Sequence, residues 1–440
     1  MRIPVEERCF PGNPAPLFID PFQFPLIESI KKSLTTFDKN REELDMSVYI
    51  GNDQGYYGTK VVSRNGDKFL KMFIRNMVVP NRVGEITYNN DPHNIMYRER
   101  EGDNEWFVGK LAIDQSSDDE LFDSHERRLF SPTWFREEEY LIMFRVSTGL
   151  MLQGSDNHEP IVSVALPTDS YIDYKEELKR RLVGKHSFEV KQGNLPYRKI
   201  EFEIKRENLY VISQPMATLF HIALDREGQL LNEDLFIQKV SINDLGFGTS
   251  DVETLHGETI IKRQSFTSRH AMINVYHLLS KRLIEFSREV DPDKQGKEYP
   301  IWSLNRVIRT GEISFKGKVY DVNEIVKGCI QEVGTLLVDE VWNRLDYADD
   351  ITYIILTGGS SIPFKPYYRE RFGDKLIFAE DYGIDAQFAN AFGLCKFTQS
   401  KSRAVPMKSQ KEVAATIQEE FTVPSSAEKR VNARKGQNKK

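Results

Sequence analysis

Ile242-Asn-Asp-Leu-Gly-Phe-Gly-Thr-Ser-Asp251 is the stretch on which the reading of this chain turns. Its pattern predicts a strand over 238–243, a tight turn, and a second strand over 251–255. The turn holds Gly246 and Gly248. Glycine reaches positive φ without steric cost, so such a turn can aim successive backbone N–H groups into one concavity that suits a phosphate. Asp244 and Asp251 frame it, and a carboxylate beside a phosphate normally needs a divalent cation between them. Taken alone, the stretch reads more readily as an ordinary β-hairpin with an acidic turn.

A second loop of the same kind lies upstream, in Val48-Tyr-Ile-Gly-Asn-Asp-Gln-Gly-Tyr-Tyr-Gly-Thr-Lys-Val-Val62. Asp53, Gly55, Gly58, Thr59 and Lys60 fall in its turn. Two acidic glycine hairpins in one chain imply two similar half-molecules, each offering one phosphate loop to a nucleotide in the cleft between them. A third stretch, Ile354-Ile-Leu-Thr-Gly-Gly-Ser-Ser361, is a buried strand entering a Gly-Gly turn, a platform for a nucleoside.

A chain of 440 residues is too long for one simple core and predicts at least two domains. The net charge of −6 gives the body of the protein no electrostatic reason to bind nucleic acid. Cys9, Cys329 and Cys395 are far apart and lack metal-ligand spacing, which points to a reduced, cytoplasmic compartment. No apolar run approaches the roughly 18–20 residues that span a bilayer, so no membrane association is expected. The first residues are acidic and proline-bearing, unlike a secretory signal.

In order, residues 1–46 form an extension, either a docked arm or a disordered tail, with a short helix expected over 27–44. The first domain is expected over 47–240, with a polar, acidic inserted subdomain at about 83–125 crossed by one strand over 105–112. Helices are predicted over 134–152, 174–182 and 214–224, and strands over 160–167, 188–204 and 209–213. The second domain is expected over 241–397, with a subdomain at about 260–330, a long helix over 268–290, another over 322–345, and an apolar closing helix over 385–396 that returns toward the first domain. Residues 398–440 read as a disordered basic tail, serving either solubility or electrostatic attachment to nucleic acid or acidic protein surfaces.

The order of these pieces resembles the actin superfamily, which also holds sugar kinases and the large heat-shock chaperones. Asp53-Gln-Gly-Tyr-Tyr-Gly-Thr-Lys60 resembles its first phosphate motif, Asp244-Leu-Gly-Phe-Gly-Thr-Ser-Asp251 its second, and Leu356-Thr-Gly-Gly-Ser360 its adenosine motif. Leu166-Pro167 and Ala389-Asn-Ala-Phe-Gly393 resemble the two connecting segments. Val79-Pro-Asn-Arg-Val-Gly84 followed by Trp106-Phe-Val-Gly-Lys-Leu-Ala112 is most similar to the ParM-type actin-like proteins of bacterial plasmids and their archaeal and phage relatives. The likeness covers about residues 47–397. Ser360 stands where the family often has a third glycine, and the pattern does not account for the N-terminal extension.

The resemblance implies an α/β actin-like fold: two similar domains around a nucleotide cleft, each with an added smaller subdomain. It implies an ATPase that polymerises head to tail. In plasmid systems such filaments move DNA through a ParR-type DNA-binding adaptor on a centromere-like site. Backbone N–H groups of Gly55, Tyr56, Tyr57, Gly246, Phe247 and Gly248 would hold the phosphates, with Thr249 beside them and Gly358, Gly359 and Ser360 under the nucleoside. GTP fits the same backbone contacts as ATP. Asp53 and Asp244 are the expected holders of Mg²⁺, through waters. Lys60 reads either as a phosphate ligand or as a strand-edge lysine, and Asp251 either as a site residue or as a hydrogen-bond partner across its turn. Gln214 reads either as the residue that orients the attacking water, with Asp244 the other catalytic residue, or as a helix cap. His221 reads as a core histidine. A small-molecule kinase and a non-polymerising regulatory ATPase of the same superfamily are the alternatives. The few residues after the closing helix leave no room for a chaperone's peptide-binding domain.

Overall fold

The computed structural model describes residues 47–66, 68–82, 84, 90–117, 131–257, 259–290, 299, 301–315, 317–383 and 385–404. The expected extension over 1–46, with its helix at 27–44, lies outside them, as does the tail from 405 onward.

The first half contains β1 (Val48–Gln54), β2 (Gly58–Asn65), β3 (Lys68–Arg75), β4 (Val78–Pro80), β5 (Ile95–Arg98), β6 (Trp106–Val108), α1 (Lys110–Gln115), α2 (Glu138–Met151), β7 (Ile161–Leu166), α3 (Thr168–Leu182), β8 (Gly184–Gln192), β9 (Arg198–Ile204), β10 (Leu209–Ser213) and α4 (Gln214–Ala223). One sheet runs β10-β7-β1-β2-β3. The β1–β2 hairpin is antiparallel, while β7 joins β1, and β10 joins β7, in parallel. A second sheet runs β4-β6-β5-β8-β9, so the polar segment around 83–125 shares its sheet with strands from 184–204.

The second half contains β11 (Lys239–Leu245), β12 (Ser250–His256), β13 (Thr259–Ile260), β14 (Phe266–Ser268), α5 (Met272–Val290), α6 (Ile301–Thr310), β15 (Glu312–Phe315), β16 (Lys318–Asp321), α7 (Asn323–Arg344), β17 (Tyr353–Thr357), α8 (Ser361–Phe372), β18 (Leu376–Phe378) and α9 (Ala389–Ala404). Its main sheet runs β13-β12-β11-β17-β18, with β14 also on β12. The pattern of the first half repeats: an antiparallel hairpin, β11–β12, extended by two parallel strands, β17 and β18. Every side chain of β1 is buried, and β11 is buried beyond Lys239, as parallel strands covered on both faces require.

Each half has its own apolar core. One gathers Val48, Phe135, Phe144, Val164 and Phe188; the other gathers Leu279, Leu337, Ile354, Phe364 and Tyr368. A third core lies between them, where Phe220 and Ala217 of α4 meet Leu394 and Phe397 of α9. There the backbones nearly touch. A Cβ on Gly393 would lie 1.7 Å from the Ala217 carbonyl oxygen, and one on Gly51 would lie 2.2 Å from that of Ala391. The helix that pairs with α9 is therefore α4. Leu166-Pro167, read from sequence as a connecting segment, instead ends β7 and opens α3.

Other boundaries differ for local reasons. The expected strand over 105–112 stops at Val108, because Gly109 (φ 70°) turns the chain into α1. A Cβ there would lie 2.9 Å from Ile74, so the turn needs glycine. The helix expected from 268 begins at Met272, because Phe266–Ser268 pairs with β12. The closing helix, expected to end at 396 before a disordered tail, continues to Ala404. The Thr398, Ser400 and Ser402 hydroxyls bond back to the carbonyls of Leu394, Phe397 and Thr398, so these polar residues extend the helix.

Candidate functional site: two glycine turns facing one cleft

The two hairpins bring their acids and turns to the same place. In β1–β2, Asp53 pairs with Lys60, and in β11–β12, Asp244 pairs with Asp251. The turns touch: the Tyr57 and Phe247 rings lie 5.2 Å apart, centroid to centroid. Tyr57 also sits under the Arg75 guanidinium at 3.6 Å, and its hydroxyl accepts from Asn305 of α6 at 3.0 Å. A cavity of 330 Å³ borders both tips, lined by Tyr56, Pro167 and Asp169 on one side and by Gly248, Thr249 and Arg269 on the other. It is of a size to take a small ligand.

Not every turn amide serves the cleft. Gly55 N–H donates to Gly58 O at 3.3 Å and Gly246 N–H to Thr249 O at 2.9 Å. These two amides, expected to donate to phosphate, instead close their own turns, whose tips are at Tyr56–Tyr57 and Phe247–Gly248. Crowding explains Gly246, where a Cβ would lie 2.7 Å from the Thr249 carbonyl oxygen, whereas at Gly55 the nearest atom is the movable Lys60 Nζ.

Behind the turns lies a buried polar cluster. Asp53 is 1% exposed and Asp244 6%. Lys60 Nζ lies 3.2 Å from Asp53 Oδ2, so it faces the site rather than solvent. The Gln214 carboxamide donates to Asp53 Oδ1 at 2.9 Å. It does not cap its helix; Ser213 does, its hydroxyl accepting from Met216 N–H. Asn390 of α9 donates to Asp244 Oδ2 at 2.6 Å, and Thr218 donates to Asn390 Oδ1, also at 2.6 Å. Asp251 accepts from the hydroxyls of Thr249 (3.0 Å) and Thr267 (2.7 Å).

Burial, helped by the nearby Asp53 charge, pushes the Asp244 carboxyl up to about 7, against the pull of Asn390. Burial likewise raises Asp251 to about 6 and Glu253 to about 7. His221, buried in α4, falls to about 3 and is a neutral core histidine whose ring nitrogens have no hydrogen-bond partner among the described residues.

The third stretch joins the same cluster. Gly358 (φ 90°) lies so close that a Cβ would stand 2.4 Å from Asp244 Oδ1, and Ser360 N–H donates to Leu245 O at 3.0 Å. Gly359 is exposed, leaving an open ledge at the start of α8. Of the residues expected from sequence, Tyr56, Gly248 and Thr249 line the cavity, Asp53, Lys60, Gln214 and Asp244 lie in the buried cluster behind the turns, and Gly358 and Ser360 abut that cluster. Asn390, Thr218 and Glu253 were missed as site residues. Asn390 lies within the quoted closing segment, and Glu253 is an acid inside the apolar run Val252-Glu-Thr-Leu255.

The arrangement fits a magnesium-bound phosphate. Asp244, whose charge burial and the nearby Asp53 both oppose, is better accommodated with a cation near it. Among the described residues no group of three or more acids, histidines or cysteines could hold a metal unaided. Mg²⁺ is held by one or two carboxylates with waters and substrate phosphates, and Asp53 and Asp244 are carboxylates of that kind.

Residues 51–216 match the family model of the N-terminal domain of actin-like proteins, and residues 242–370 match that of the C-terminal domain of the archaeal MreB-like actin homologue. The fold is that of the actin-like proteins. Solved structures agree. A 15-stranded ParM filament from Clostridium botulinum superposes on this actin-like chain with a TM-score of 0.62 at 18% identity, covering 80% of this chain and 99% of that one. The archaeal actin homologue Ta0583 gives 0.61 at 16%, covering 81% and 99%. Bacillus thuringiensis ParM with AMPPNP gives 0.56 at 16%, covering 81% and 99%. Among curated proteins, none matches the chain. No helix among the described residues is long and apolar enough to cross a membrane.

Proposed function

We propose that this actin-like chain is an ATPase that binds Mg-ATP between its two halves and polymerises into dynamic filaments that segregate plasmid DNA. The observation that carries the reading is the meeting of both glycine turns, with Asp53, Lys60, Gln214 and Asp244 buried directly behind them. The solved ParM with AMPPNP and the solved ParM filament support the nucleotide and the self-association.

The chain's own groups divide the work. Amides at the turn tips bind phosphate oxygens, and Lys60 adds a positive charge. Asp53 and Asp244 would hold Mg²⁺, which neutralises phosphate charge when bound. Gln214, fixed by Asp53, orients the attacking water; a carboxamide orients water without accepting its proton, which suits slow turnover stimulated by assembly. Gly358, Gly359 and Ser360 seat the nucleoside, whether adenosine or guanosine. The filament's partners are further copies of the chain and a ParR-type adaptor on a centromere-like DNA site, in the cytoplasm.

Right-angle light scattering after addition of Mg-ATP, with phosphate release followed in parallel and Asp244→Ala as control, tests this. A scattering rise that the variant loses, tracked by phosphate release, is expected. ATP turnover without scattering would overturn the filament and favour a small-molecule kinase or a monomeric regulatory ATPase.

A further inference from the structure

Glu253 is 0% exposed, yet it is a carboxylate on the central hairpin of the second half. Its Oε1 accepts from the Ser213 hydroxyl at 2.7 Å. Its Oε2 lies toward the Thr168 hydroxyl, which eases the carboxyl's burial, though among the described residues no donor comes within ordinary hydrogen-bond distance of that oxygen. Burying a carboxylate costs stability, so its place here calls for an explanation.

The contacts cross between the halves. Glu253 and Asp251 lie on the same face of β12, two residues apart. Asp251 accepts from the Thr168 N–H at the start of α3, and Glu253 holds Ser213 at the start of α4. Two acids of the second half thus face two helix N-termini of the first, where the helix dipoles favour negative charge. Ser213 caps α4, and the next residue is Gln214, whose carboxamide reaches Asp53. The route from Glu253 to Gln214 is one side-chain hydrogen bond and one peptide unit.

We propose that Glu253 is a positioning residue for hydrolysis: from the second half it holds the Ser213 cap, and through it Gln214, in the geometry that orients water only while the two halves are together. The proposal rests on the ATPase reading above. It makes turnover conditional on closure of the cleft, which nucleotide binding alone does not require.

The test is steady-state phosphate release by the full chain in Mg-ATP, comparing Glu253→Leu, Glu253→Gln, Ser213→Ala, Ser213→Thr and the double variant Ser213→Ala/Glu253→Leu. Glu253→Leu and Ser213→Ala should each lower kcat by about tenfold or more, since a small misplacement of an orienting group is costly. KM for ATP should stay within about threefold, because binding is not the step affected. The double variant should fall no further than about twofold below either single one, as expected of two residues in one chain of contacts. Glu253→Gln, which still accepts from Ser213, and Ser213→Thr, which keeps the hydroxyl, should restore kcat. Should Glu253→Leu not fold, the Ser213→Ala and Ser213→Thr pair decides the matter alone. Values of kcat unchanged in Ser213→Ala and Glu253→Leu, or losses that multiply in the double variant, overturn this proposal and leave the ATPase reading standing. Absence of phosphate release from the unaltered chain overturns the ATPase reading and this proposal with it.

Discussion

Tyr57 and Phe247 belong to different halves of the chain, and their rings meet 5.2 Å apart at the tips of the two glycine turns. Tyr57 is the more connected of the pair, held also by the Arg75 guanidinium and the Asn305 amide. Tyr57→Ala removes an aromatic pair and a cation–π contact, together about 1–2 kcal/mol. The Phe247 pair and the Asn305 bond cross between the halves, while the Arg75 contact lies within the first half and outside its core. Release of a fluorescent ADP, followed by stopped flow, should accelerate severalfold while the melting temperature changes little. A release rate equal to that of the unaltered chain would show that this contact does not gate the cleft.

Asp244 is a carboxylate that the empty fold tolerates poorly, since burial and Asp53 both oppose its charge. Asp244→Asn removes that burden and keeps the shape. The nucleotide-free variant should melt at the same temperature as the unaltered chain or higher, while magnesium-dependent ATP affinity collapses. Thermal melts with and without Mg-ATP separate the two effects. Loss of stability without nucleotide would contradict the electrostatic account.

Asn390→Ala deletes the donor to Asp244 Oδ2 and the acceptor for Thr218. A hydrogen bond to a charged group is worth about 1.5–3 kcal/mol, so ATP affinity should fall by about tenfold or more. Isothermal titration with Mg-ATP measures it. Asn390→Asp places a third carboxyl beside Asp53 and Asp244 and should weaken binding further.

The buried acids set a pH dependence of stability opposite to the usual one. Glu253 and Asp251 titrate near 7 and 6 in the fold and at ordinary carboxylate values when unfolded. Between those limits the folded chain holds more protons, so their contribution is full at low pH and is lost as pH rises toward about 7. His221 acts in the other sense: neutral in the fold down to about 3, it favours unfolding as pH falls below its ordinary value. Urea midpoints of the nucleotide-free chain should therefore respond to Glu253→Gln by flattening on the side approaching pH 7, and to His221→Phe by gaining on the acid side. An unaltered profile in Glu253→Gln would mean that this carboxyl titrates normally.

The parts of the site that a sequence displays are those built from neighbours along the chain. Gly246 and Gly248, or Gly55 and Gly58, announce a turn because local backbone geometry demands them, and the acids beside them travel with the turn. Asn390 and Glu253 acquire their partners across separations of 146 and 40 residues, and nothing adjacent marks them. The same applies to the second sheet of the first half, where β5 pairs with β8 from far downstream. Lys60 and Gln214 each had a surface or capping reading that only packing could remove. The drop in apolar residues after 396 hides the rest of the closing helix, because Thr398, Gln399 and Ser400 are polar yet buried.

The contacts of Gly393 on Ala217 and of Gly51 on Ala391 have a mechanical meaning. Beside the stacked Phe220 and Phe397 rings, the backbone at Gly393 leaves no room for a side chain against Ala217, so sliding of α4 along α9 meets hard repulsion at that point. Rotation about the crossing is the movement left open. A small angular change there displaces the outer edges of the two halves in proportion to their distance from it, so the crossing acts as a bearing and the two sheets as its lever arms.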